Sequence, residues 1–167
     1  MAHKAMDVYL NDHLGGATLG ANLADQIADH AEETPLAEAM TRLHAEIEED
    51  RETLLDLMER LDVTRNPVKQ ATGWLAEAAS RLKFSGASSG DSDHGIFMAL
   101  ESMALGVQGK LSLWHALREV RADHPPLAAT DLDALIARAE EQYATLERER
   151  LAAATRALGA ASTGTAS

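Results

Sequence analysis

The 167-residue chain is the size of one domain and long enough to bury a core without staples, and its lack of Cys excludes structural disulfides, thiolate metal sites and cysteine nucleophiles. Ala and Leu supply 55 residues, against nine for Val and Ile together and six aromatics, a balance that favours helix over sheet and points to an all-α fold. A formal charge of -12 argues against a nucleic-acid partner, whose phosphates call for Lys and Arg.

In chain order, the N-terminal MAHKAMDVYLNDH lacks the basic and apolar regions of a signal peptide, and no window approaches 18 uninterrupted apolar residues. The expectation is a cytoplasmic protein with no membrane segment. Residues 5–32 read as one helix, with Met6, Leu10, His13, Ala17, Gly20 or Ala21, Ala24, Ile27 or Ala28, and Ala31 at three- and four-residue steps and Val8, Leu19 and Leu23 on the opposite side. Thr34-Pro35 supplies an N-cap and a first-turn proline for a second helix over about 35–62, striped by Leu36, Met40, Leu43, Ile47, Leu54, Met58 and Leu61. The short turn between them makes an antiparallel hairpin. Residues 5–62 hold 15 acids against 3 bases, so the whole acidic excess lies there. It serves as a solvated surface or as a face for a basic protein partner.

Asn66-Pro67 repeats the cap signal and starts a shorter helix carrying Trp74, Leu75 and Leu82. These three are expected to pack on the outside of the bundle, since one apolar side must be buried somewhere. SGASSGDSD, residues 85–93, reads as a loop, and Asp91-Ser92-Asp93-His94 as capping residues rather than chelators. A third long helix follows over about 93–122 through Ile96, Leu100, Met103, Val107, Leu111, Trp114 and Leu117. Phe97, Met98, Leu105, Leu113 and Val120 lie off that stripe, which leaves the helix apolar nearly all round and predicts self-association as a homo-oligomer, a dimer first of all. After a turn at 123–129, Thr130-Asp131-Leu132-Asp133 resembles a capping box for the last helix, whose stripe is Leu132, Leu135, Ile136, Ala139, Tyr143 and Leu146. The domain runs over 1–158, and residues 159–167 form a disordered tail.

Four helices of about 40 Å, two hairpins and a long crossover with its own short helix make a four-helix bundle. In this order and length of helices the chain resembles the ferritin-like superfamily over residues 5–158. The strings YLNDHLGG (9–16), EIEED (46–50) and GVQGKLSLWHAL (106–117) are similar to a group of uncharacterised bacterial helical proteins, which implies no assigned activity. Ferritin-like di-metal sites combine glutamates with Glu-x-x-His pairs at mid-bundle, and no Glu-x-x-His occurs in this chain. His44 and Glu48 are four apart on one helix and, with His13, form the only metal-ligand candidates, for iron, manganese or zinc.

The polar residues on apolar stripes are the remaining candidates. His13 interrupts the first stripe, and Asp50 and Arg51 mark a gap in the second between Ile47 and Leu54. With the hairpin turn near 34, His13 sits opposite Leu54 and one turn from Asp50 and Arg51, which predicts a buried His13 in contact with that turn. Lys110 falls on the third stripe, near the level of Tyr143 and Glu147, and Gly106 and Gly109 beside it would admit a close backbone. GVQGKLS lacks the spacing of a phosphate loop, and no Ser-His-Asp arrangement is legible. The expectation is a binding or oligomerisation module with no cofactor and no recognisable catalytic site. The alternatives are a degenerate metal-binding protein that handles metals or oxidants, and an acidic adaptor.

Overall fold

A computed structural model describes residues 2–31, 33–66 and 89–159. The expected crossover helix with Trp74, Leu75 and Leu82, and the tail beyond residue 159, lie outside the described residues. Helices α1 (Ala2–His30), α2 (Pro35–Arg60), α3 (Ser89–Glu119) and α4 (Leu132–Leu158) account for nearly all of them, with a short 3-10 turn at Pro125–Ala129 and no strand among the described residues. None of these helices is long and apolar enough to cross a membrane.

Local chemistry sets the boundaries. Thr34 caps α2 as its sequence indicates, its hydroxyl accepting the Ala37 N–H at 3.3 Å, with Pro35 in the first turn. Helix α2 ends when the Val63 N–H returns to the Met58 carbonyl at 2.8 Å, with Asp62 at φ 56° in the left-handed region. For α4 the cap is Asp131, which accepts the Ala134 N–H at 3.0 Å. The expected capping box is therefore out by one residue, because Thr130 is buried and receives Arg60 Nη2 at 2.7 Å instead. Helix α3 begins at Ser89, so the second half of the expected 85–93 loop is helical. There Ser92 Oγ meets His30 Nε2 at 2.7 Å and Asp93 pairs with Arg156 at 3.5 Å, so Asp93 bridges two helices instead of capping one.

Contacts between helix ends give the topology. The α1–α2 and α3–α4 hairpins pack side by side, with α1 on α3 and α2 on α4. The end of α1 lies at the start of α3 through His30 and Ser92, and the end of α2 lies at the start of α4 through Arg60, Pro126 and Thr130. Helices α2 and α3 therefore run parallel, and α2 ends at the opposite end of the bundle from where α3 begins. Asn11 fixes the chain as it leaves α2: it is 5 % exposed, donates to the Thr64 carbonyl at 3.0 Å and accepts the Asn66 N–H at 2.7 Å.

The apolar residues spread around α3 are mostly covered within the chain. Phe97 and Leu113 are buried, Met98 and Val120 partly so, and only Leu105 stands out in solvent at 58 % exposure. Leu23 is likewise buried and Leu19 partly buried, while Val8 is exposed.

Candidate functional site

Asp50 sits in mid-bundle, and Lys110, Arg138 and Gln142 converge on it. Its position on α2 faces both α3 and α4, and it is 2 % exposed. Lys110 of α3 donates to Asp50 Oδ2 at 2.5 Å, and Arg138 of α4 donates to Asp50 Oδ1. Gln142, one turn along α4, accepts from Lys110 through Oε1 and donates through Nε2 to Asp50 Oδ2 at 3.3 Å and to Glu46 at 3.1 Å. Arg138 reaches outward as well, to Glu49 at 2.7 Å. Every carboxylate oxygen of Asp50 is thus engaged, which a buried charge requires. Burial pushes the Lys110 ammonium below its usual range, with the Asp50 carboxylate opposing the shift.

A cavity of about 60 Å³ lies beside this network, between α1, α2 and α3. Ile47, Leu54, Met103, Val107, Leu113 and Trp114 give it largely apolar walls, and Asp50 and Lys110 also line it. His13, Gly16, Ala17, Gly20 and Gly106, none of them fully buried, complete it. At Gly16 and Gly20 an added Cβ would meet nothing within 4 Å, so these glycines leave space vacant rather than permit tight helix packing. Gly109 behaves the same way, which corrects the expectation that a backbone approaches closely there. Glycine inside a helix costs about 1 kcal/mol relative to alanine, so the vacancy is retained at the expense of stability. Trp114 is 1 % exposed, and its indole N–H is buried without an acceptor.

The expected polar residues are brought together in part. Asp50 and Lys110 meet directly, although the partners foreseen for Lys110 do not: Glu147 is held by Arg150 at 2.7 Å, and Tyr143 is 36 % exposed while Gln142 beside it is buried. The α4 stripe advances from Ala139 by three residues rather than four, which turns Gln142 inward. His13 lines the cavity with Asp50 and Leu54, at the level expected, but it is half-buried and its ring contact is edge-on to Tyr9 at 4.7 Å between centroids. Burial lowers its pKa, with Asp12 acting in the opposite sense. Arg51 is turned away from the core: it pairs with Glu48 at 2.9 Å, because its place on α2, one residue past Asp50, points it about 100° round the helix. That pair also occupies Glu48, the carboxylate proposed to join His44 at a metal. Among the described residues no group of three or more His, Asp or Glu side chains is placed to hold a metal ion.

Sequence reasoning missed Arg138, Gln142 and the Trp114 N–H. Gln142 did leave a signal, as a polar residue three after Ala139 and four before Leu146. Arg138 left none, since it lies beside the stripe and reaches Asp50 by its length. No protein family, no curated protein and no solved structure matches this chain.

Proposed function

We propose that this chain is a cytoplasmic binding module: a helical bundle of ferritin-like helix order, without a catalytic centre, that takes a small molecule in its mid-bundle cavity. The helix order supports the ferritin-like part, since two antiparallel hairpins with a parallel middle pair are the arrangement such bundles use. The observation that carries the binding part is the vacancy itself, bordered by Gly16 and Gly20 where a Cβ would meet nothing within 4 Å. Space bounded by apolar walls and a few fixed polar groups is the ordinary form of a small-molecule site.

Xenon tests this reading directly, because it enters reachable apolar cavities regardless of chemistry. Equilibrating the full chain with xenon shifts the methyl resonances of Ile47, Leu54, Met103, Val107 and Leu113 saturably, and Gly20→Leu, which fills the space, abolishes the response. Absence of saturable shifts at these methyls overturns the proposal. A second role, self-association across the outer face of α3, rests on the exposure of Leu105. It predicts a concentration-dependent mass by light scattering that Leu105→Asp removes. Leu113→Asp is unsuited to that test, since Leu113 is 1 % exposed and the charge would unfold the core.

A further inference from the structure

We infer that a second copy of this chain packs antiparallel along the outer face of α4, with Glu141 of each copy against Arg148 of the other. The inference rests on the self-association proposed for α3 and adds the second helix of that interface and its orientation. It starts from the spacing of exposed residues. Glu141, Ala144, Arg148, Leu151, Thr155 and Leu158 follow one another at steps of three and four, all of them exposed, on the side of α4 opposite the buried Leu146. That is the 3.5-residue repeat by which one helix presents a seam to another. Leu135, Ala139, Gln142, Leu146 and Ala153 form a different seam, buried against the bundle, so α4 carries two and only one is covered by the described residues.

Apolar surface gathers on this side of the molecule. Of five exposed large apolar side chains among the described residues, four belong to the α3–α4 hairpin: Leu105, Tyr143, Leu151 and Leu158. Leu151 is 52 % exposed and Leu158 64 %. Leu105 stands near them, since it lies one turn along α3 from Glu101, which is tied to Arg150 at 3.2 Å. Net charge favours the same side. Helix α4 carries five acids and four bases, whereas the acidic excess of the chain lies over α1 and α2, so a pair joined through α4 brings little like charge together.

The charges within the seam decide what covers it. Neither Glu141 nor Arg148 has an ion-pair partner among the described residues, and Arg148 reaches only the Thr145 hydroxyl, at 3.4 Å. Arg138, Arg150 and Arg156, on the flanks of the same helix, are all paired. Glu141 and Arg148 stand about 10.5 Å apart along the helix axis, too far to meet within one chain. Opposite charges so placed are complementary to themselves. A second α4 turned end for end about the level of Ala144 sets each Glu141 against the other copy's Arg148, and the small Ala144 between them lets the helices approach. A parallel pair in register would set glutamate on glutamate and arginine on arginine.

Sedimentation velocity of the full chain over a micromolar concentration series tests this, with circular dichroism confirming that each variant keeps its helices. Wild type dimerises. Glu141→Arg and Arg148→Glu, both at exposed positions, each weaken the dimer about tenfold, because two attractions become two repulsions. Mixing the two variants restores pairing, since a chain with two arginines then meets a chain with two glutamates; placing both changes in one chain restores it as well. If the single variants pair as tightly as wild type while Leu105→Asp abolishes pairing, α3 alone forms the interface and the inference fails by itself. If the single variants weaken pairing and the mixture does not recover it, the two charges do not meet and the antiparallel arrangement is wrong. A wild type that stays monomeric overturns this inference and the α3 self-association together, and leaves the cavity's binding role to the xenon experiment.

Discussion

At the end of the bundle that holds the α1–α2 turn, the core is rich in alanine: Ala21, Ala24, Ala31, Ala39, Ala99, Ala104 and Ala153 are seven of its nineteen buried residues, set among larger side chains such as Leu23, Ile27, Met40, Phe97 and Leu100. The opposite end is filled by bulk, with Leu10, Leu54, Leu57, Met58, Leu113, Trp114 and Leu117 packed against Leu127 and Leu132 beyond the last turn. Small residues let helices approach and large ones hold them apart, so a bundle that changes from one to the other along its length has a level where neither kind fits well. The cavity lies at that level, walled by Ile47, Met103 and Val107 from the alanine end and Leu54, Leu113 and Trp114 from the bulky end. Asp50 and its partners cross the bundle at the same place. A polar layer and a vacancy thus meet at the junction of two differently packed cores.

The largest expected effect comes from breaking the layer that separates the two cores. Asp50→Ala leaves Lys110 buried without a counter-charge and costs about 3–5 kcal/mol in urea unfolding. Adding Lys110→Met to Asp50→Leu removes both charges and returns at least half of that loss; no recovery would mean that Arg138 and Gln142, rather than the ion pair, hold the junction.

Two substitutions set the ends against each other. Truncation is the sensitive change where the core is bulky, and Leu57→Ala, at a side chain with no exposure, costs about 2–5 kcal/mol. Enlargement is the sensitive change where the core is alanine, and Ala24→Leu, also at a fully buried position, costs about 1–3 kcal/mol. If Ala24→Leu is neutral or stabilising by thermal melting, the alanine end is looser than its burial implies and the contrast is lost.

At the junction the sign reverses. Gly16→Ala and Gly20→Ala place a methyl group in open space and remove a helix-interior glycine, so each raises stability by about 0.5–1 kcal/mol. The smallest effect is a change of slope with pH. Because burial lowers the His13 pKa from 6.5, the unfolded chain binds a proton there more readily than the folded one, and the ring's contribution to stability is lost as the pH falls through 6.5 toward the lowered value. Chemical denaturation of wild type and His13→Gln between pH 7.5 and 5 shows a shallower acid decline in the variant; parallel curves would mean that the His13 ring is as hydrated folded as unfolded.

Local signals in the chain determined the helices themselves. Thr34-Pro35 and the stripe from Leu36 to Met58 gave α2 to within two residues, and the hairpin level placed His13 beside Asp50 and Leu54, because caps, prolines and a 3.6-residue period act over a few residues of contiguous chain. The length of chain between α2 and α3 likewise leaves room for those two helices to run parallel, as they do. Tertiary structure alone decided which polar groups meet. Whether Tyr143 or Gln142 faces inward depends on the rotation of α4 about its own axis, set by how Leu135, Ala139 and Leu146 fit the other helices. Whether Asp50 finds Arg138, 88 residues away, depends on two hairpins docking side by side. The vacancy is the extreme case: a period reports which face is apolar, but unfilled space belongs to three helices at once and has no residue of its own to announce it.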